Sequence, residues 1–485
     1  MIYLLSLLPI ILLVVVSLTK GVKPAVMVSW AVTSVLFFFW GADIGHYLGA
    51  MGVALLTTVN ILLIVLGAVF LYSIMSHMGM VEQITDSLNK LHPSKEIRFF
   101  VLALGLTAFF EGVAGFGTPG AIVPLLLIAL GFDAVLSVSV VLLFDGLFAL
   151  FGAVGTPILI GLQLPLNLSA AEVQAIGIIA ALMISITGLL VLWLVFRMVN
   201  RQHAPMVYKR QVAVLYTFII LPFCAMAWFA PELATVFSAL AMLGLSVLYL
   251  RQKGSAAINL WPWLPYAVLA LLLLLPKLFW PLKQWIAWEL RFENMFDSGI
   301  GGGIKPLQSP FIPFVVVGVG VAYFKKAGSL YLSEPLSKMV NVFIVLFPSV
   351  VIAQLMIFSG VEQPSMVRYI AEMLGSLGQA YPLFAPFIGV TGTFITGSTT
   401  ISNLVFGATQ QEAALSLNLN SNTILALQLA GASLGNAVCL FNIIAAGSVA
   451  NVKNYKAILS NNLLPTLAAA LIIGIAGTLL LLASK

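Results

Sequence analysis

Two carboxylates stand deep in apolar sequence: Glu111, within FFEGVAGFGTPGAIVP (Phe109–Pro124), and Asp145, within VLLFDGLFALF. An ionised carboxylate at the centre of a hydrocarbon layer costs ~2.5–3.5 kcal/mol on insertion scales, so each needs a proton or a partner there. That requirement suits a group that carries a proton, or holds a cation, in step with a second ligand. The alternative is a structural hydrogen bond tying one segment to its surroundings. Around Glu111 the glycines Gly112, Gly115, Gly117 and Gly120 interrupt what would otherwise be a simple apolar run. Broken backbone at membrane depth is tolerated only where it is buried in protein or lines a water-filled cavity. A second break, FITGSTTISN (Phe394–Asn403), brings hydroxyls and an amide to the same kind of place.

Gly115, Phe116, Gly117 and Thr118 in the first break, with Gly397, Ser398, Thr399, Thr400, Ser402 and Asn403 in the second, are the candidate binding residues for a small anion. Neither break contains Lys or Arg, so the donors expected are backbone N–H groups at helix starts together with the hydroxyls. Thr118-Pro119 reads as such a start, since Thr caps and Pro suits the first helical position, and the positive end of the helix would then face the break. The competing reading is that the hydroxyls satisfy backbone freed by the glycines. Gln428, Asn436 and Asn442 line the second broken span either as ligands or as packing hydrogen bonds. Glu82 and Glu362 fall at expected interfaces, where a solvated carboxylate is ordinary. The histidines His46, His77, His92 and His203 are spread without metal-ligand spacing, no GxxxxGK[ST] phosphate loop occurs, and Gly299–Gly303 reads as a flexible external loop. No nucleophile–base constellation can be assembled, so the chain is expected to be no enzyme and to need no cofactor or metal.

The elements that must position these residues are helices in lipid. Of 485 residues, 61% are hydrophobic and 8% charged, against roughly 25% charged in soluble proteins. Apolar segments near the ~20 residues needed to cross a bilayer recur from end to end. The fold expected is an all-α polytopic membrane protein with about 12 transmembrane helices and two re-entrant hairpins, 99–130 and 381–410. The first 19 residues lack a basic start and a cleavage site and read as a span rather than a signal peptide. The net charge of +6 has no dense patch that would bind nucleic acid, and Cys224 and Cys439 lie in apolar segments unsuited to a disulfide. The distribution of Lys and Arg places both termini outside. The broken spans are expected to be interrupted at Asp145-Gly146, at Gly152–Pro157 and at Gly431–Asn442. GMVEQ (Gly79–Gln83) is echoed by GVEQ (Gly360–Gln363), an offset of 280 from Glu82 to Glu362, and near that offset, at 282, Gly115 falls on Gly397. Each of the two segments so related has five crossings, so they face opposite ways: 1–198 and 255–485 form inverted repeats joined by connecting helices in 199–254. Inverted repeats with discontinuous helices at the midplane mark secondary transporters.

FFEGVAGFGTPGAI (Phe109–Ile122), GAVGTPILIG (Gly152–Gly161) and FITGSTTISNLVFGATQ (Phe394–Gln410) resemble the L-lactate permease family, from about Gln83 onward. The resemblance implies a secondary transporter in the bacterial inner (plasma) membrane that imports lactate, glycolate or a similar small monocarboxylate with protons. It implies an elevator-type fold and a homodimer. Thr399 stands where the family commonly has aspartate, Asp145 where it has asparagine, and Cys439 and Asn442-Ile443 near a family lysine and Ser-Pro. Glu111 and Asp145 are the expected coupling residues. The alternatives are a sodium- or proton-coupled antiporter and a transporter of another small organic anion.

Overall fold

The computed structural model describes residues 1–89, 91–115, 117–202, 208–250 and 261–483. Among these, nine helices are long and apolar enough to cross a membrane, beginning with Val22–Phe39 and Ile44–His77 and ending with Ser421–Val449 and Tyr455–Ala483. Four shorter apolar helices accompany them: Ile2–Ser17, Thr118–Ala129, Trp261–Pro276 and Phe311–Phe324. Val35, Phe39, Trp228 and Leu248 are exposed on the outside of this bundle, a surface that water would reject and lipid solvates. The chain is a predominantly helical, multi-pass membrane protein.

Helix starts follow local chemistry. Asp43 caps Ile44–His77 by accepting from His46 N–H at 2.8 Å, and that contact holds its carboxyl below the usual range. Asp133 caps Ala134–Phe148 through Leu136 N–H at 2.9 Å, and Asn420 caps Ser421–Gly435 through Thr423 N–H at 3.1 Å. Two short helices, Met80–Asn89 and Met366–Gly375, are amphipathic.

Both glycine-rich breaks are helical hairpins. The first runs through Lys95–Phe100, a π-helical stretch Val101–Leu106 and Thr107–Val113 to the break, then returns as Thr118–Ala129. Its ends meet where the rings of Phe99 and Phe132 lie 4.4 Å apart. The second pairs Tyr381–Thr396 with Thr399–Ser416, closed at its base by Tyr381 Oη donating to Gln410 Oε1. Gly117 (φ 78°, ψ 7°) and Gly397 (φ 76°, ψ 12°) hold the same left-handed conformation, which glycine adopts without the Cβ penalty, directly at the returning helix. Subtracting 117 from 397 gives 280, the offset of the GVEQ echo. In conformation and in place before the returning helix Gly397 matches Gly117, whereas the sequence pattern paired it with Gly115, two residues earlier. Glu82 lies in a helix while Glu362 precedes one, so the echo itself does not occupy matching places.

The broken spans are interrupted within Gly152–Pro157 and within Gly431–Asn442 but not at Asp145-Gly146. Ala134–Phe148 runs unbroken through Asp145-Gly146, and the interruption begins only at Phe148. Gly146 is there for close approach: Ser433 Oγ donates to its carbonyl at 2.8 Å, where the two broken spans cross. Gly431 likewise lies inside Ser421–Gly435, where a Cβ would come 2.1 Å from Pro386 O, and the break follows at Asn436–Cys439. Glycine in these helices marks contact, not termination.

The helices Lys209–Phe229 and Ala234–Leu250, expected as connectors, brace the first hairpin. A Cβ on Gly112 would meet Val236 N at 2.8 Å, and one on Gly105 would meet Leu243 Cδ2 at 2.7 Å. Ser333–Phe358 packs along Ile44–His77 and Val22–Phe39 and touches the returning arm of the second hairpin. The segment after Trp280 is not wholly irregular: strands Leu290–Phe292 and Gly302–Ile304 pair antiparallel, and Met295–Ser298 rests on Gly45, Gly49 and Gly52 of Ile44–His77.

Candidate functional site

The tips of the two hairpins open onto one small cavity of about 50 Å³, enough room for a few waters in this conformation. Glu111, Gly115, Gly117, Asp145, Gly397, Ser398, Thr399 and Thr400 all line it, so two segments far apart in sequence supply one wall each. Thr156 and Pro157 of the first broken span and Asn436 and Asn442 of the second complete it. Asn442 Nδ2 donates to Asn436 Oδ1 at 3.4 Å. Phe116 lies outside the described residues.

Four helix starts border this cavity. Gly117 precedes Thr118–Ala129 and Cys439 precedes Leu440–Val449, neither with a side-chain cap. Ser398 Oγ caps Thr399–Ser416 by accepting from Ile401 N–H at 3.4 Å. The fourth is the return of the first broken span: Ala153 (φ 42°), Val154 (φ 54°) and Gly155 (φ 76°) are consecutively left-handed before Thr156-Pro157 resumes the helix. Left-handed backbone is costly for a β-branched residue such as Val154, and its persistence means that the surrounding packing dictates the turn. Unsatisfied N–H groups and dipoles equivalent to about half a positive charge per helix start make such a cavity favourable for an anion.

Glu111 and Asp145 are both buried, with relative exposures of 6% and 4%. Their side chains hydrogen-bond each other, while Asp145 Oδ1 is buried without a partner among the described residues. A carboxyl–carboxylate bond needs a proton between the two groups, and two like charges in contact away from water cannot both persist. Gly152 makes room for the pair, since a Cβ there would lie 2.0 Å from Glu111 Oε1.

The remaining expected residues sit behind or beside the cavity. Thr399 Oγ1 donates to Ala432 O at 3.3 Å and Thr400 Oγ1 to Thr156 Oγ1 at 3.4 Å, so both hydroxyls also tie the second hairpin to its neighbours. Ser402 and Asn403 are fully buried and do not line the cavity: Ser402 Oγ donates to Gly389 O at 3.0 Å and Asn403 Nδ2 to Pro157 O at 3.1 Å. Gln428 Nε2 reaches both, at 3.3 Å each, and Gln428 Oε1 accepts from Gln410 Nε2 at 2.9 Å. A continuous polar chain thus runs from Tyr381 at the base of the second hairpin to the first broken span.

Thr118 faces a residue that the reading of the breaks passed over. Lys338 Nζ, from helix Ser333–Phe358, donates to Thr118 Oγ1 at 3.4 Å. No cation lies in either break, but one lies beside the tip of the first. The signal was present in the sequence: Lys338 is the one basic residue in an apolar 26-residue helix, and an ionisable group inside a span is a functional candidate by default. Lys338 lines a larger outer cavity, about 500 Å³, that shares Gly397, Ser398, Thr400 and Asn442 with the inner one.

The sequence profile of the L-lactate permease family matches residues 3–260 and 311–483. An L-lactate permease of Streptococcus iniae is 27% identical over 80% of this chain and 84% of its own length. The glycolate permease GlcA of Escherichia coli K12 is 24% identical over 77% of this chain and 76% of its own. An L-lactate permease of the same strain is 23% identical, with the same shares covered.

Proposed function

The chain belongs to the L-lactate permease family, whose members are transporters rather than enzymes, and from that premise we propose that it is a secondary active transporter. It imports a small monocarboxylate such as lactate or glycolate, together with protons, across the plasma membrane. One observation carries the reading: both hairpin tips and the Glu111–Asp145 pair line a single cavity ringed by helix starts. The carboxylate of the substrate binds at Gly115, Gly117 and Thr118 on one side and Gly397, Ser398, Thr399 and Thr400 on the other. Ser402 and Asn403 hold the second wall in place.

Coupling follows from charge. With the Glu111–Asp145 pair protonated, the helix starts dominate the cavity and attract an anion. With one of the two carboxyls ionised, repulsion opposes it by about 3 kcal/mol for charges ~6 Å apart at an effective dielectric of ~20. That corresponds to roughly a hundredfold in affinity, enough to make loaded carrier without proton rare. The nine long helices with Ile2–Ser17, Trp261–Pro276 and Phe311–Phe324 make up the twelve spans, and the hairpins re-enter from opposite faces as parts of inverted repeats in 1–198 and 255–485, joined by 199–254. Both termini lie outside, the two cavity walls move as an elevator against the helices around Ser333–Phe358, and the functional unit is a dimer.

The test is uptake by purified protein in liposomes. Labelled lactate or glycolate is expected to accumulate under an inward proton gradient and to collapse with a protonophore, with no requirement for sodium. Absence of accumulation of either acid, with or without sodium, sinks the proposal. Accumulation driven only by sodium overturns its coupling.

A further inference from the structure

The inner cavity has two acids in its lining and no basic residue among its described lining residues. An incoming anion must nevertheless leave water and approach Glu111 and Asp145. The outer cavity supplies what the inner one lacks. Lys338 and Lys23 line it, and so do Ser398 and Thr400 at the tip of the second hairpin. Lys338 is half-buried, and its Nζ has Thr118 Oγ1, at the tip of the first hairpin, as its hydrogen-bond acceptor. It lies within electrostatic reach of Glu111, and of Glu334 one turn earlier on its own helix. Glu334 is engaged elsewhere, accepting from Ser73 Oγ at 2.9 Å.

We infer that Lys338 is the specificity-determining cation of this transporter, receiving the substrate carboxylate in the outer cavity and presenting it to the two hairpin tips. The inference rests on the transport reading above. A hydroxyl is a poor acceptor for an ammonium compared with a carboxylate. An arriving carboxylate displaces Thr118 Oγ1 as acceptor from Nζ and takes the freed Thr118 hydroxyl as a donor, which leaves no polar atom worse satisfied. Gly397, Ser398, Thr400 and Asn442 border both cavities, so the anion can exchange the lysine for the helix starts without crossing an apolar barrier. Lysine suits this role better than arginine: its ammonium is a single mobile point charge, whereas a bidentate guanidinium clamp would hold the carboxylate in place. The outer cavity therefore selects for one negative charge, and the inner cavity holds it.

The experiment compares wild type with Lys338→Gln and Lys338→Arg, each purified and reconstituted, using lactate and its uncharged amide, lactamide. Wild type is expected to bind lactate on the order of tenfold or more tighter than lactamide, measured by competition against labelled lactate. Lys338→Gln is expected to weaken lactate to the level of lactamide while leaving lactamide unchanged, and Lys338→Arg to keep discrimination but slow turnover. Lactate discrimination undiminished in Lys338→Gln overturns the inference, whereas a wild type that moves neither lactate nor glycolate overturns the transport reading beneath it. If Lys338→Gln is recovered unfolded, thiol-directed attachment of an aminoethyl group to Lys338→Cys decides the matter: restored discrimination supports the role, and a charge restored without discrimination overturns it.

Discussion

At the scale of single residues, the central object is a pair of buried carboxyls in contact, with one oxygen of Asp145 left unpartnered. Neutral isosteres remove the exchangeable proton and keep the shape. Glu111→Gln and Asp145→Asn are each expected to abolish proton-driven accumulation of lactate while exchange of lactate across the membrane survives. Counterflow in proteoliposomes measures the second property, and unchanged accumulation in both variants would rule the pair out as the proton carrier. Gly152→Ala is a sterically defined companion, since its methyl group would lie 2.0 Å from Glu111 Oε1. It is expected to push the Glu111 carboxyl off Asp145 and flatten the pH dependence of uptake in the same way. A pH profile matching wild type would show that contact with Asp145 is not what couples.

Helix termini and glycine contacts govern the element scale. Hydroxyls at a break look alike in sequence, yet they divide in space: Ser398 caps, Thr399 and Thr400 brace, and Ser402 and Asn403 lie behind the wall on the chain that passes through Gln428. Removing the node of that chain leaves buried donors and acceptors unmet, at a cost of about 1–3 kcal/mol for each group. Gln428→Leu is therefore expected to lower the thermal midpoint by several degrees while the folded fraction keeps its lactate half-saturation within about twofold, a shift worth only a few tenths of a kcal/mol. Calorimetry and initial-rate uptake separate the two. A large loss of affinity at unchanged stability would place Gln428, and Asn403 with it, on the substrate instead.

At the scale of the whole molecule, the proposed movement would set the helices around Ser333–Phe358, as one body, against the hairpins with their broken spans, as another; the two meet along the outer cavity, where Ser333–Phe358 packs on Thr399–Ser416. Leu346 from the first and Ile401 from the second are buried in the same apolar cluster. If the walls move relative to that body, tethering the two must stop transport. With Cys224 and Cys439 replaced by serine, the double variant Leu346→Cys/Ile401→Cys is expected to lose uptake on mercury cross-linking and to regain it when a thiol strips the metal. Uptake that continues through a complete cross-link would exclude movement across this surface.

The sequence by itself determined the class of the molecule and marked the two breaks whose residues line one cavity. Low charge and recurrent apolar segments require lipid, and a carboxylate and glycines in such a segment require a cavity, whatever the tertiary arrangement. The helix start at Thr118-Pro119 was legible for the same local reason, although the cap is Gly117 and Thr118 is the first helical residue. What lay beyond local chemistry waited for the tertiary structure. Gly146 and Gly431 read as breaks because glycine signals both an end and a close approach, and only the neighbouring helix distinguishes them. Glu111 and Asp145 read as two separate acids, and their contact needs the space that Gly152 leaves beside Glu111. Lys338 belonged to neither break, and only folding brought helix Ser333–Phe358 to the tip of the first hairpin. Sequence fixes which groups must find partners in lipid, and packing over long separations decides which partners they find.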